Sequence, residues 1–374
     1  MNSSELREQC ALKLTAAVER ASHLTAFVGL DGFVDEIIHV VDKRENAESF
    51  QRVPTIARLA ERIAGASGKS TNIELVTQRT KLGGNGPIMA NALASFGLKV
   101  TYLGALGYPT MHPVFNGFAE RASVHTIADA GRTDALEFED GKLMFGKTVQ
   151  LADLTWENIQ KRFGRDRFAT KFADSDLVAF VNWTMIPYMS DVWDALLQSL
   201  CPDLAGPRRK IFFDLADPEK RNPNDIARAL ALIVQFEKYF DVILGLNEKE
   251  SEEIREVLGL AKKPHTADGL STLAREILTH LPISTLVIHP VSYALAVNED
   301  VVDVVEGPYV PKPIITTGAG DHFNSGFCLG KLLRLDNREC VLTGVTASGY
   351  YVRTGHSPTI PQLAELLRAW PAKK

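Results

Sequence analysis

Only four cysteines occur in 374 residues, and Cys10, Cys201, Cys328 and Cys340 form no CxxC pair and no regular framework. A disulfide-built scaffold is excluded, and the four read as reduced thiols. No apolar run reaches membrane-spanning length, and the start, MNSSELREQC, lacks a basic stretch followed by an apolar one. A cytoplasmic location with no membrane partner is the expectation. Positive charge is not in excess: 41 Lys and Arg face 46 Asp and Glu, a formal net charge of −5. That argues against nucleic acid as a partner. The absence of GxxxxGK[ST] removes a Walker-type site, and the absence of GxSxG removes the common hydrolase elbow. His112, His289, His322 and His356 are scattered without metal-ligand spacing. Internal repeats and low-complexity segments are also lacking.

What is present is an alternation of short apolar runs and helix-prone segments. Residues 5–22 have helical spacing of apolar residues. LTAFVGLDGF (24–33), LVAFVNWTM (177–185), KIFFDLA (210–216), DVILGLN (241–247) and TLVIHP (285–290) read as buried strands, with YALAVN (293–298) alternating after them. This order predicts an α/β fold with a doubly wound, mostly parallel sheet and helices on both faces. Functional groups then belong at the carboxyl ends of the strands. Residues 36–80 and 108–150 fit that core less well. Both contain alternating stretches that suit a small β-rich lid beside the main sheet, the second with an EDGK turn.

Four segments carry candidate chemistry. In GAGDHFNSGF (318–327), the Gly318-Ala319-Gly320 turn leads into a helix-prone stretch. A helix start offers unpaired N–H groups and a dipole that favours an anion, and Asp321 stands beside it. The turn reads either as a phosphate cradle with an adjacent base or as a tight turn with a capping Asp. Thr316 and Thr317 just before it add hydroxyls. GLDGFVDE (29–36) puts Asp31 and Asp35 at the end of the first strand, where carboxylates can hold a polyol's hydroxyls or simply cap a turn. In GGNGPIMAN (83–91), Gly84 allows close backbone approach and Asn85 offers a donor and an acceptor. The same residues suit a plain helix N-terminus with an early proline. In LNEKE (246–250), Asn247 and Glu250 share one helix face. Glu250 can hold a water of hydrated Mg²⁺, or the pair can cap a helix.

In this order the segments resemble the ribokinase (PfkB) family of carbohydrate kinases, over about residues 27–367. TTGAGDHFNSGF is similar to its C-terminal signature, GGNG with FGLKVTYLGALG to its N-terminal signature region, and NEKE to its Asn-x-x-Glu element. YVRTGHSPTIP (351–361) resembles the stretch that closes the nucleotide and monovalent-cation sites. The resemblance implies one ribokinase-like domain, with 36–80 and 108–150 as lid segments, and ATP- and Mg²⁺-dependent phosphorylation of a sugar hydroxyl. It makes Asp321 the general base and Gly318, Ala319 and Gly320 the anion hole. Asp35, with Asp31, Gly84 and Asn85, would bind the sugar. Asn247, Thr316, Thr317 and His289 would lie by the nucleotide, and Glu250 would hold Mg²⁺ through water.

The chain departs from the family pattern at several points. Ile315 stands where a family aspartate would ligate a monovalent cation, which argues against a side-chain ligand there. Ile88 replaces the family asparagine after the glycine turn, and HPV replaces Thr-x-Gly near the nucleotide. His322 occupies a position that is usually small. The long 36–80 segment implies an enlarged lid or a homodimer contact. A nucleoside kinase would need an aromatic such as Phe33 or Trp183 to stack on a base. A phosphosugar kinase would need a cation such as Arg79 or Lys81. A non-catalytic sugar-binding homologue is the alternative from another class.

Overall fold

The computed structural model describes residues 3–299 and 301–371. Its strands run β1 (Thr25–Leu30), β2 (Phe33–Arg44), β3 (Phe50–Arg52), β4 (Leu75–Gly83), β5 (Lys99–Ala105), β6 (Ser123–Ala128), β7 (Gly131–Glu137), β8 (Lys142–Lys147), β9 (Leu177–Phe180), β10 (Arg209–Asp214), β11 (Phe240–Leu246), β12 (Thr285–Ile288), β13 (Tyr293–Asn298) and β14 (Val301–Glu306). Nine of these form one sheet in the order β14-β13-β12-β11-β10-β9-β1-β5-β6. All neighbours from β12 to β6 are parallel, while β13 and β14 close one edge antiparallel. The order reverses at β1, which lies between β9 and β5. A crevice opens at such a switch point, outside the carboxyl ends of the strands.

Alternation along each strand explains why both faces are covered. Phe27, Phe180, Ile211, Phe213 and Leu244 feed one apolar core, whereas Val28, Ala179, Phe212 and Ile243 feed the other. Every one of these side chains is 2% exposed or less. Burying one Val, Leu, Ile or Phe stabilises by about 1.5–3 kcal/mol, so helices on both faces are required. The first helix, Ser3–Ala16, adds Leu6, Cys10 and Leu14 to the second core.

The remaining strands build a smaller sheet in the order β3-β2-β7-β8, with β4 antiparallel to β2. Its outer face carries Ile38, Val40, Leu136 and Phe138, covered by Leu59 of the helix Ile56–Gly65. That helix starts on Thr55, whose hydroxyl accepts from Arg58 N at 3.1 Å. The sheet takes residues 33–83 and 131–147, so the 108–150 assignment is too wide. Residues 123–128 instead form β6 of the main sheet, parallel to β5, with Ile127 and Ala128 fully buried in the same core as Leu103. Strand 177–185 is also shorter than expected. It ends where Asn182 turns to φ 60°, a left-handed conformation that breaks the ladder.

The smaller sheet joins the main sheet through Asp31-Gly32 and Asp129-Ala130, and returns to the body through Gly84, into the helix Asn85–Ser95, and Thr148, into the turn Val149–Asp153, each crossing one or two residues long. Gly131 N donates to Gly32 O at 2.9 Å, tying two of the crossings together.

Candidate active site

The helix Ala319–Leu332 begins in the crevice. Gly318 caps it with φ 94°, which is open to glycine and strained for other residues. Ala319 N is held by Thr316 O at 3.1 Å, whereas the N–H groups of Gly318 and Gly320 have no described backbone acceptor. Asp321, in the first turn, is 7% exposed. One of its oxygens, Oδ1, accepts from Asn85 Nδ2 at 3.0 Å. Burial pushes this carboxyl up to about 8; the Asn85 hydrogen bond opposes the rise, while Asp31 and Glu250 add to it.

Asp31 lies at the bottom of the crevice and is fully buried. Its Oδ2 accepts from Asn85 N at 2.9 Å and Asn182 Nδ2 at 2.7 Å. Its Oδ1 accepts from Gly86 N at 2.8 Å, with the Tyr102 hydroxyl at 3.4 Å. Burial raises this carboxyl to about 6 against four hydrogen bonds that lower it. Asp31 thus fixes the start of the helix Asn85–Ser95, and both of its oxygens are already occupied.

Asp35 sits on β2 between Thr133 of β7 and Lys81 of β4. Its Oδ2 is 3.8 Å from Lys81 Nζ, and the pair is largely enclosed. Burial drives both groups toward neutrality, and their mutual attraction works against it. Glycine is required at position 83, because a Cβ there would sit 2.4 Å from the Asp35 carboxylate. The Asp35 carboxylate therefore packs directly over Gly83, in the space a side chain there would take.

Asn247 caps the helix Glu248–Val257 in a capping box with Glu250. Asn247 N donates to Glu250 Oε2 at 2.7 Å and Asp217 N to Oε1 at 2.9 Å. Glu250 is 4% exposed and raised, by burial first. Asp214, the last residue of β10, is 6% exposed and held well above the usual carboxylate range by burial, with Glu250 and Asp321 adding repulsion. Asn324 Nδ2 donates to it at 2.8 Å. Beyond Asn247 opens a cleft of about 590 Å³, lined by Asn247, Glu248, Lys249, His265, His289 and Val291 among others. His289 packs on Phe323 at 4.8 Å, and enclosure pushes its imidazole down to about 4. Thr316 and Thr317 are not in that lining; their carbonyls accept from Ala319 N and the Tyr351 hydroxyl. The nearby cluster of Asp217, Glu219 and Glu253 is bridged by the Lys249 ammonium.

A helix N-terminus with a high-pKa carboxylate, at the switch point of a parallel sheet and beside an open cleft, suits phosphoryl transfer. The model of the prokaryotic ketohexokinase family matches residues 3–370. The chain belongs to this family. A ketohexokinase of Haloferax volcanii is 30% identical over 347 residues, covering 92% of this chain and 91% of the relative. Among solved structures, phosphofructokinase-2 from Escherichia coli matches with TM-score 0.64 at 13% identity, over 93% of this chain and 99% of that one. Ribokinase from Arabidopsis thaliana, solved with ribose and ATP, matches with TM-score 0.62 at 14% identity, over 92% and 98%. The fold is ribokinase-like, and the protein is a sugar kinase, a phosphotransferase with a hydroxyl acceptor.

Within this site, Asp31, Asn85 and Asp321 form one hydrogen-bonded chain, and Asp35 stands on the second sheet. Sequence reasoning passed over Asp214, Asn182, Asn324 and Tyr102. The legible signal was a polar residue ending an apolar strand, as in KIFFD and AFVN. His322 is 1% exposed and neutral, its ring held down to about 4 by burial. It bonds Gly318 O at 2.7 Å and Ser357 Oγ at 2.8 Å and stacks on Tyr351 at 3.7 Å. It fastens the glycine turn to the stretch 351–361. Trp183 is fully buried, with its N–H on Ser190 and Arg221 over its ring, and Phe33 is 6% exposed. Neither offers a face to a nucleobase.

Proposed function

We propose that this kinase transfers the γ-phosphoryl group of ATP to a hydroxyl of a ketohexose, with Mg²⁺. The observation that carries the reading is Asp321: a buried carboxyl, raised to about 8, in the first turn of a helix that starts from a left-handed glycine. Ionised, it would take the proton from the acceptor hydroxyl as the phosphoryl group arrives at the glycine turn and the helix dipole. The ketohexose rests on the family and on the Haloferax volcanii relative. Asp35, packed over Gly83 on the second sheet, would hold its hydroxyls. The cleft beside Asn247 and His289 would take the nucleotide.

The donor set fits Mg²⁺. Asp214, Glu250 and Asp321 are buried carboxyls that repel one another. The Oδ1 atoms of Asn182 and Asn324 and Oγ1 of Thr184 are buried without partners. An oxygen-only set with surplus negative charge suits a hard cation. Both Glu250 oxygens already accept backbone N–H groups, so Glu250 would act through water, and Asp214, which accepts from Asn324 through Oδ2, would be the nearer ligand. Bound Mg²⁺ would screen the charge on the transferring phosphate. The second sheet would close over the acceptor and exclude water.

The test is ADP release with ketohexoses, aldohexoses and nucleosides, with and without Mg²⁺, on the wild type and Asp321→Asn. The expected result is Mg²⁺-dependent turnover of a ketohexose and a loss on the order of 10² or more in the variant. Near-normal turnover by the variant removes Asp321 as the base, and a preference for aldohexoses or nucleosides removes the substrate class.

A further inference from the structure

Three observations change what Asn85 does. The first is that its amide points at the base: Nδ2 donates to Asp321 Oδ1 at 3.0 Å, and no described side chain donates to Oδ2. The second is that its backbone is pinned. Asp31 accepts from Asn85 N at 2.9 Å and Gly86 N at 2.8 Å. Asp31 is itself fixed by Asn182 Nδ2 at 2.7 Å and, at its carbonyl, by the Tyr102 hydroxyl at 2.6 Å. There is no slack in this arrangement: a Cβ on Gly84 would lie 2.9 Å from Asp31 Oδ2, and one on Gly86 2.5 Å from Oδ1. The third is the company Asp321 keeps. Asp31 at the end of β1, Asp214 at the end of β10 and Glu250 on the helix Glu248–Val257 all repel it. Tyr351, on the helix Asn337–Thr354, is a neutral phenol whose hydroxyl is given to Thr317 O. His289 and His322 flank the turn as neutral rings. Asn85 is the one described side chain that donates a hydrogen bond to this carboxylate.

We propose that Asn85 is a positioning residue for Asp321, holding Oδ1 so that Oδ2 is left to take the acceptor's proton, and that Asp31 acts through Asn85 rather than on the sugar. The proposal rests on Asp321 being the general base. A carboxylate among three others has no fixed rotamer unless a donor selects one, and a misplaced base loses rate without losing substrate. The arrangement also separates the two carboxylates of this segment: Asp31 is committed to the start of the helix Asn85–Ser95, whereas Asp35 stands on the second sheet beside Lys81.

The test is steady-state kinetics of the full-length protein with Mg-ATP and D-fructose, or another ketohexose that the wild type turns over. For Asn85→Ala, kcat is expected to fall on the order of 10-fold to 10²-fold, with KM for the sugar within about threefold of wild type. A KM raised tenfold or more with kcat kept makes Asn85 a sugar ligand and overturns the proposal. Asn85→Ser, which restores a donor, is expected to recover part of kcat; no recovery counts against a hydrogen-bonding role. Asp31→Asn is expected to lower kcat like Asn85→Ala, and the double variant to lose no more than the worse single one. Additive losses overturn the link from Asp31, and if Asp31→Asn fails to fold, the Asn85 pair decides alone. Asp321→Asn separates the two levels. If it turns over normally, the base and this proposal fall together; if it is inactive while Asn85→Ala keeps its kcat, only the role of Asn85 falls.

Discussion

Replacing Asp321, the proposed base, should make the protein more stable as well as less active. Asp321 is raised from 3.8 to about 8, mainly by burial. The folded state therefore holds a proton on this group where the unfolded chain has released it. Folded-state proton binding exceeds unfolded-state binding between pH 3.8 and about 8, so stability is fully present below that window and is lost as pH rises through it. At about 1.4 kcal/mol per pH unit, the full span amounts to roughly 5–6 kcal/mol. Relaxation of neighbouring Asp31 and Glu250 reduces this, and a gain of about 2–4 kcal/mol for Asp321→Asn at pH 8 is expected. The new amide oxygen still accepts from Asn85, so no hydrogen bond is forfeited, and its NH₂ meets carboxylates that repelled the original group. The assay is urea unfolding of the ligand-free protein at pH 5 and pH 8. The stabilisation should be about threefold larger at pH 8. A variant that is less stable than wild type at pH 8, or a difference that does not change with pH, refutes the argument.

Gly83→Ala should raise KM for the sugar by on the order of tenfold or more while the nucleotide KM stays put, because the new Cβ would lie 2.4 Å from the Asp35 carboxylate; equal changes in both would exclude a local cause. The two neutral histidines should make the fold acid-sensitive. His289 and His322 are lowered from 6.5 to about 4, so stability is full above 6.5 and falls as pH drops toward 4. His322→Gln should flatten that fall in unfolding experiments between pH 4 and 6.5, even if it lowers stability at pH 7. Glu250→Ala removes the acceptor of Asp217 N and Asn247 N. It should cost about 1–3 kcal/mol and raise the Mg²⁺ concentration for half-maximal rate, read by titrating Mg²⁺ at fixed ATP.

The sheet was legible because its strands are apolar and short and alternate with helices; FFD and VILGL can only be buried runs. The turn at 318–321 was legible because glycine at a helix start has few uses. What could not be read was which polar residue faces which. Asp31 and Asp35 are four residues apart and look equivalent in GLDGFVDE, yet the chain leaves the main sheet between them. One therefore points into the floor and the other stands on the second sheet. Strand β6 was misplaced for a related reason. SVHTIA carries half-polar residues that suit a lid, and only its pairing with β5 reveals that Ile127 and Ala128 complete a core. Asp214 was hidden by its own strand, since a carboxylate ending an apolar run looks like the onset of a loop.

The four short crossings between the sheets make the smaller one a cassette. Residues 33–83 and 131–147 leave and re-enter the body through spans of one or two residues. Such a piece can be exchanged between relatives, or lengthened at its far end, without moving the body's strands. Two of the crossings, Asp31-Gly32 and Gly84, adjoin the carboxylate that pins Asn85. Grafting experiments have a natural rule here. Cuts made outside these two crossings carry the anchor of Asp321, the proposed base, away with the graft, and cuts made inside them leave it behind, so specificity can be swapped separately from chemistry only along the inner boundary.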